Sequence, residues 1–318
     1  MPSLGVIPML DPTTKLFARQ VNLTIGMPSG PLALPFNDAN ATGLTVDGLD
    51  IEFDVEKSLK SSEPNKARIK VWNLTRDHIK AIGQAQALTV RLEAGYKGNT
   101  AQIYYGGIRS AHSSREGDTD FVTTLESENT VAKPGIVSAT KKVTTSSFIS
   151  VPQGPRVSLS SAISTLAPIL GVTTGDLTAA LAGKEAILIS GSSLHGNSAQ
   201  RMTDICRSAG LEWSIQDEVL QLVDIGKALT TTTAFNISPD TGLVGSPTSD
   251  SQGVVEATVL LTPGLAPGVL VNFVGAGDPS GLTPCIFVNG GGYRIDKIRA
   301  HGSTFSKDYY HSFTAVKY

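Results

Sequence analysis

Along much of this chain hydrophobic residues fall at every second position, the spacing that sends alternate side chains to opposite faces of a strand. In LTVDGLDIEFDVEK, from Leu44 to Lys57, Leu49, Ile51, Phe53 and Val55 take one face and Asp50, Glu52, Asp54 and Glu56 the other. That pattern predicts a half-buried antiparallel strand. KARIKVWNL repeats the alternation through Ala67, Ile69 and Val71, and the intervening SSEPN predicts that the two strands pair across a turn. A short helix is expected from Thr75, with Ile79 and Ile82 on one face and Gly83 as its C-terminal cap. Three more strands follow in ALTVRLEAGY, AQIYYGGIRSAHSS and DTDFVTTLESE, the last two joined by a tight glycine-containing hairpin connection, REG.

Between residues 131 and 233 the period lengthens. LSSAISTLAPILG sets Leu159, Ala162, Ile163, Leu166 and Leu170 at helical spacing behind a serine cap, with Pro168 expected to bend or shorten the helix. NSAQRMTDICRSAG repeats the design, with Asn197 or Ser198 as cap, Ala199, Met202, Ile205, Cys206 and Ala209 as the apolar stripe, and Gly210 as stop. LEWSIQDEVLQLVDI reads as a hairpin, so two helices are expected to pack on a small sheet. From residue 234 the alternation of period two returns. GLVGSPTSDSQGVVEATVLLTPGLAPGVLVNF reads as two strands joined by a Pro/Gly turn, and two strands around a polar loop close the sequence. Three segments result, 1–130, 131–233 and 234–318, in a mostly β, α+β protein.

Composition agrees with that class: of 318 residues 17% are charged, with 32 glycines and 17 prolines, which describes a turn-rich globular chain. The formal net charge of −2 argues against a general nucleic-acid binder. Its distribution is uneven. No acidic residue occurs from Thr130 to Gly175, where Lys133, Lys141, Lys142 and Arg156 stand, and no basic residue occurs between Lys227 and Arg294, where Asp240, Asp250, Glu256 and Asp278 stand. The N-terminus lacks the basic and apolar regions of a signal peptide, and no apolar run approaches the about 20 residues of a membrane helix. Synthesis in a cytoplasm, with Cys206 and Cys285 as free thiols, is the expectation.

Catalytic patterns fail on inspection. GDLTAALAGKE offers Gly183 and Lys184 but has Thr178 where a phosphate loop needs its first glycine and Glu185 where it needs a hydroxyl. NGGGYRI, from Asn289 to Ile295, precedes a strand and so reads as a turn. His78, His112, His195, His301 and His311 are scattered without metal-ligand spacing, and Ser192 and Ser193 near His195 lack a nucleophile elbow. No carboxylate pair stands out as a glycosidase couple. The glycosylation-like sequons at Asn22, Asn40, Asn73 and Asn236 carry little weight without a secretion signal. No cofactor, metal site or enzymatic activity is expected.

Three stretches, taken in order, resemble the baseplate hub proteins of long-tailed bacteriophages. The first is IEFDVEKSLKSSEPNKARIKVWNLTRDH with LEAGYKGNTAQIYYGGIRSAHSSREGDTDFVTTLES, through its strand-loop-PN-strand-NL-helix order. NSAQRMTDICRSAGLEWSIQDEVLQLV is similar to the family's middle segment, and the strands from Gly242 to Phe273 with GGYRIDKIRAHGSTFSKDYYHSF complete the match.

That resemblance implies two tail-tube-like antiparallel β-barrel domains, a homotrimeric ring with pseudo-sixfold symmetry, and a place in the virion between tail tube and spike, assembled in the host cytoplasm. Its implied partners are further copies of itself, the spike or tip protein, the tube protein, other baseplate proteins, the tape-measure protein, and phage DNA that passes through without specific binding. Membrane insertion by this chain is not implied. Some relatives carry an appended lytic domain, whereas this sequence ends at Tyr318, soon after the last hub-like strand. The alternatives are a tail-associated cell-wall or glycan hydrolase and a tube or adaptor protein of the same virion. DNA carries one negative charge per about 1.7 Å of helix axis, so a lysine-lined conduit would retain it by counterion release. Asp240, Asp250, Glu256 and Asp278 are therefore the candidate lumen-facing residues, in a segment free of lysine and arginine.

Overall fold

The computed structural model describes residues 18–26, 43–46, 48–60, 64–84, 89–129, 156–170, 172–175, 177–184, 188–190, 198–229, 234–274 and 292–318. The first segment contains β1 (Arg19–Gly26), β2 (Gly43–Val46), β3 (Ile51–Ser58), β4 (Lys66–Trp72), α1 (Arg76–Gln84), β5 (Thr89–Tyr96), β6 (Asn99–Glu116) and β7 (Asp120–Glu128). β3 and β4 pair antiparallel, with Ile51 opposite Val71 and Val55 opposite Ala67, as their alternation requires. Ile51, Phe53, Val55, Ala67, Ile69 and Val71 are all buried, each worth roughly 1.5–3 kcal/mol for the larger side chains. Thr75 caps α1 by accepting from the His78 N–H at 3.3 Å. The helix runs through Gly83 to Gln84, so Gly83 is not its stop.

The middle segment supplies β8 (Arg156–Ser158), α2 (Leu159–Leu170), β9 (Thr173–Thr174), the single turn α3 (Thr178–Leu181), β10 (Leu188–Ser190), α4 (Ser198–Ser208), β11 (Leu211–Gln216) and β12 (Val219–Asp224). Pro168 lies inside α2 without shortening it, and the helix continues to Leu170. The stripes of α2 and α4 close on Leu211, Trp213, Leu220 and Leu222 as one core. Trp213 Nε1 donates to Thr203 Oγ1 at 3.0 Å, so its polar edge is not left orphaned.

β13 (Phe235–Ile237), β14 (Leu243–Ser249), β15 (Val254–Leu260), β16 (Leu270–Phe273), β17 (Gly292–Ser303) and β18 (Tyr309–Lys317) make up the last segment. The stretch from Gly242 to Phe273 therefore holds three strands rather than the two its pattern suggested.

The expectation of two β-barrels is overturned. One open sheet of thirteen strands runs in the order β14-β15-β18-β17-β3-β4-β7-β6-β5-β1-β2, with β16 attached to β17 and β13 to β16. The physical reason lies in β17. Lys297 to Ser303 pair with Ser58 to Glu52 of β3, so early and late strands are spliced edge to edge instead of each group closing on itself. A bulge between Ile295 and Lys297 redirects β17, and its earlier residues pair with β16 instead.

Tyr309 locks the splice from the inner face. Its hydroxyl accepts from the Gly95 N–H at 2.8 Å and lies 2.9 Å from the Gln20 carbonyl, while its ring meets Phe53 and Tyr96 edge-on at 6.0 and 5.5 Å. Gly302 admits this ring: a Cβ there would sit 2.7 Å from Tyr309 and 2.8 Å from Phe53. Gly302→Ala is expected to destabilise the protein by about 1–3 kcal/mol through overpacking, read as a lowered denaturant midpoint with unchanged slope. An unchanged midpoint would mean the two rings give way freely.

Candidate functional site

Charged groups collect in two places, the outer face of the large sheet and the contact between the β11–β12 hairpin and that sheet. On the outer face, Glu52, Asp54 and Glu56 of β3 stand between Lys66, Arg68 and Lys70 of β4 on one side and Lys297, Arg299 and His301 of β17 on the other. Glu126 and Glu128 of β7 follow beyond β4. The rows neutralise one another: Lys70 reaches Glu52 at 2.8 Å, Arg299 pairs with Asp54, and Arg109 pairs with Glu128. Such half-exposed pairs add little stability each. Two rows of the same sign set side by side would oppose like charges directly, so the stripes help fix strand order.

The predicted acidic residues do not form a cluster. Asp240, in the 3₁₀ turn Pro239–Thr241, is exposed. Asp250 is exposed at the β14–β15 turn, where its Oδ1 accepts from the Gln252 and Val254 N–H groups at 2.8 Å each, which gives it a turn-forming role as well. Glu256 is exposed on β15, opposite Thr248 of β14 and Thr314 of β18. Thr314 is in turn opposite Lys297. The stretch without lysine or arginine is thus linear only, because β18 carries basic β17 to within two strands of Glu256. Asp278 lies outside the described residues, as do Cys285, His195, Ser192, Ser193, Lys133, Lys141 and Lys142.

Among the described residues no group of three or more His, Cys, Asp or Glu side chains could hold a metal ion, and no helix is long and apolar enough to cross a membrane. Cys206 is a buried free cysteine whose thiol is pushed up to about 12 by desolvation, the opposite of an activated nucleophile. Lys184 of the near-miss phosphate loop is engaged with Asp224 at 2.5 Å. His311 is buried, and its Nδ1 accepts from the Thr262 N–H at 3.2 Å, which makes it the neutral Nε2–H tautomer. Burial, aided by nearby Lys57, holds its pKa down to about 3.

The second place was not foreseen. Lys57 Nζ, with its side chain only 8% exposed, meets both carboxylate oxygens of Asp217 at 2.8 and 2.9 Å. Asp217 and Glu218 are the two residues joining β11 to β12, and both have positive φ, 52° and 65°, the geometry of a tight primed hairpin turn where Asn-Gly is usual. Asp217 Oδ1 also accepts from the Tyr105 N–H at 3.0 Å. With the Asn129 amide oriented to satisfy its neighbours, its oxygen accepts from the Asp217 N–H at 3.1 Å. Gln216 Nε2 donates to the Ser58 carbonyl at 2.8 Å, and Asn65 Nδ2 donates to Gln216 Oε1 at 2.8 Å. At the other end of the hairpin, buried Arg294 donates to the Lys227 carbonyl at 3.0 Å and lies 3.5 Å from Glu212. The helix layer is therefore fastened to the sheet by two polar anchors. Burial, reinforced by the adjacent Asp217, pushes the Glu218 carboxyl up to about 7. One signal was present in the sequence: Lys57 falls on the same odd-numbered register as Leu49, Ile51, Phe53 and Val55, a charge at a core position.

No protein family matches the sequence, and no curated protein matches it. Solved structures do share the fold. The 43 kDa tail protein of prophage MuSo2 from Shewanella oneidensis superposes with a TM-score of 0.55 at 10% identity, over 94% of this chain and 97% of that one. A tail protein from Neisseria meningitidis gives 0.54 at 10% identity, over 94% and 96%. The E. coli c3393 protein, described as a type VI secretion system component similar to bacteriophage tail proteins gp27 and gp5, gives 0.51 at 12% identity over 85% and 74%. At these identities the likeness is one of fold.

Proposed function

We propose that this chain is a structural protein of a phage tail, the hub at which the tail tube meets the central spike. The observation that carries the reading is the end-to-end agreement of its fold with tail proteins, which takes in sheet, helices and hairpin together. Lys57, Lys70, Arg294 and Arg299 are engaged in ion pairs between strands or between strand and hairpin turn, the chemistry of a scaffold. In this reading three copies form a closed ring around a DNA conduit, and the open sheet edges β14 and β2, which a lone subunit would expose, are covered by neighbours. The segments 1–130 and 234–318 supply the shared sheet, and 131–233 supplies the helix layer. The tube, spike, tape-measure and other baseplate proteins are the proposed partners, in the virion tail.

The β14–β15 hairpin with Asp250 and Glu256, together with Asp240 before it and Asp278 after it, is the proposed DNA-facing element. It presents exposed acid, whereas the face two strands further in carries Lys297 and Arg299. A density map of assembled tails tests the reading. Three copies around a channel whose wall near residues 242–278 is neutral or acidic is the expected result. A chain outside the tube–spike junction would overturn the hub assignment, and this hairpin on the outer rim would overturn the conduit assignment alone.

A further inference from the structure

The Asp217–Glu218 turn holds two adjacent carboxylates where the structure provides one cation. Lys57 takes both oxygens of Asp217. Among the described residues no lysine, arginine or histidine lies within ion-pairing distance of Glu218. The groups that face the turn are Lys57 from β3, Tyr104 and Tyr105 from β6, Glu128 from β7, itself paired with Arg109 of β6, and Asp217 on the turn itself. The charges of Asp217, Glu218 and Glu128 act on Tyr104, while Arg91 of β5, which acts on Tyr105, is paired with Glu93 at 2.6 Å. Behind the turn, the Glu218 carbonyl accepts from the Thr173 N–H of β9 at 3.2 Å, which carries no charge.

We propose that this turn is a pH-sensitive latch, which holds the helix layer on the sheet in mild acid and loosens as the solution becomes mildly alkaline. Glu218 is half-buried, and its protonated carboxyl is the form that this partly desolvated place favours. Once ionised it stands beside Asp217, whose own charge already occupies Lys57, and moving the turn into water relieves both the desolvation and the repulsion. The contacts that go with it are those made by the turn: Tyr105 N–H to Asp217, Asp217 N–H to Asn129, and Gln216 to Ser58. The Arg294 anchor at the far end of the hairpin contains no group of this kind and stays closed, so the layer pivots at the hairpin base and does not detach. The inference stands on these contacts and is independent of any role in a tail.

Amide hydrogen exchange on the full chain at pH 5.5 and 8.5, corrected for intrinsic rates, tests it. Protection at Tyr105 and Asp217 is expected to fall by at least about tenfold at the higher pH, given that each pKa unit corresponds to a factor of ten, while Thr173 in β9 and Met202 and Cys206 in α4 keep theirs. In Glu218→Gln, which retains shape and removes the charge, protection at the turn is expected to be equal at the two pH values. Unchanged protection in the natural chain, an undiminished pH effect in Glu218→Gln, or equal loss throughout α4 would each overturn the latch.

Discussion

Lys57→Met is expected to lower the free energy of unfolding by about 3 kcal/mol. Removing one partner of a buried ion pair costs roughly 3–5 kcal/mol because the other charge is left without compensation. The lower end applies here, since the Asp217 side chain retains 24% exposure and can be partly hydrated. Methionine preserves the aliphatic stem, so the loss reports on charge rather than on a cavity. Asp217→Asn in the Lys57→Met background removes the stranded charge, and the double variant is expected to be less destabilised than the sum of its parts, with a coupling of about 1–3 kcal/mol. Denaturant unfolding of the four proteins reads this directly. A loss below about 1 kcal/mol for Lys57→Met would show that water, not Lys57, compensates Asp217.

Acid unfolding is expected to be steep and to depend on His311. Its native pKa lies near 3, below the 6.5 of an ordinary imidazole, so between those values the unfolded chain binds a proton that the native chain does not. Stability from this group is complete above pH 6.5 and is lost as pH falls, on the order of 4 kcal/mol by pH 3. Glu218 acts in the opposite sense: raised from 4.5 to about 7, it contributes stability below pH 4.5 that is lost as pH rises toward 7. Between 4.5 and 6.5 the two slopes offset, and stability is nearly flat. His311→Asn, whose side-chain oxygen can still accept from Thr262, is expected to lose the acid slope and expose the Glu218 slope. Urea midpoints measured from pH 4 to 8 decide it, and an unaltered profile in His311→Asn would remove His311 from the account.

Local structure was legible because each element advertises its buried face. Alternation gave β3 and β4 down to their pairing, and the stripes through Leu166 and Met202 gave α2 and α4. What alternation does not carry is the identity of a distant partner. Nothing in IEFDVEK distinguishes β4 from β17 as a neighbour, so a single sheet could not be told from two closed barrels. The acidic segment misled for a related reason: charge along the chain is not charge across a sheet, and β18 brings Lys297 beside Thr314. The Lys57–Asp217 anchor was missed although Lys57 broke an apolar register, because its partner lies 160 residues away.

The splice of β3 to β17 also governs the order in which the molecule can be made. Arg299 and Asp54 meet across 245 residues of chain, so β3 waits for its neighbour until β17 has also left the ribosome, with one long edge of the growing sheet unprotected. The helix layer, whose contacts are mostly local, can close long before. During synthesis the charged stripe of Glu52, Asp54 and Glu56 then serves as a temporary guard: it keeps the outer face of the waiting strand water-soluble and disfavours pairing with a strand that does not present lysine or arginine opposite.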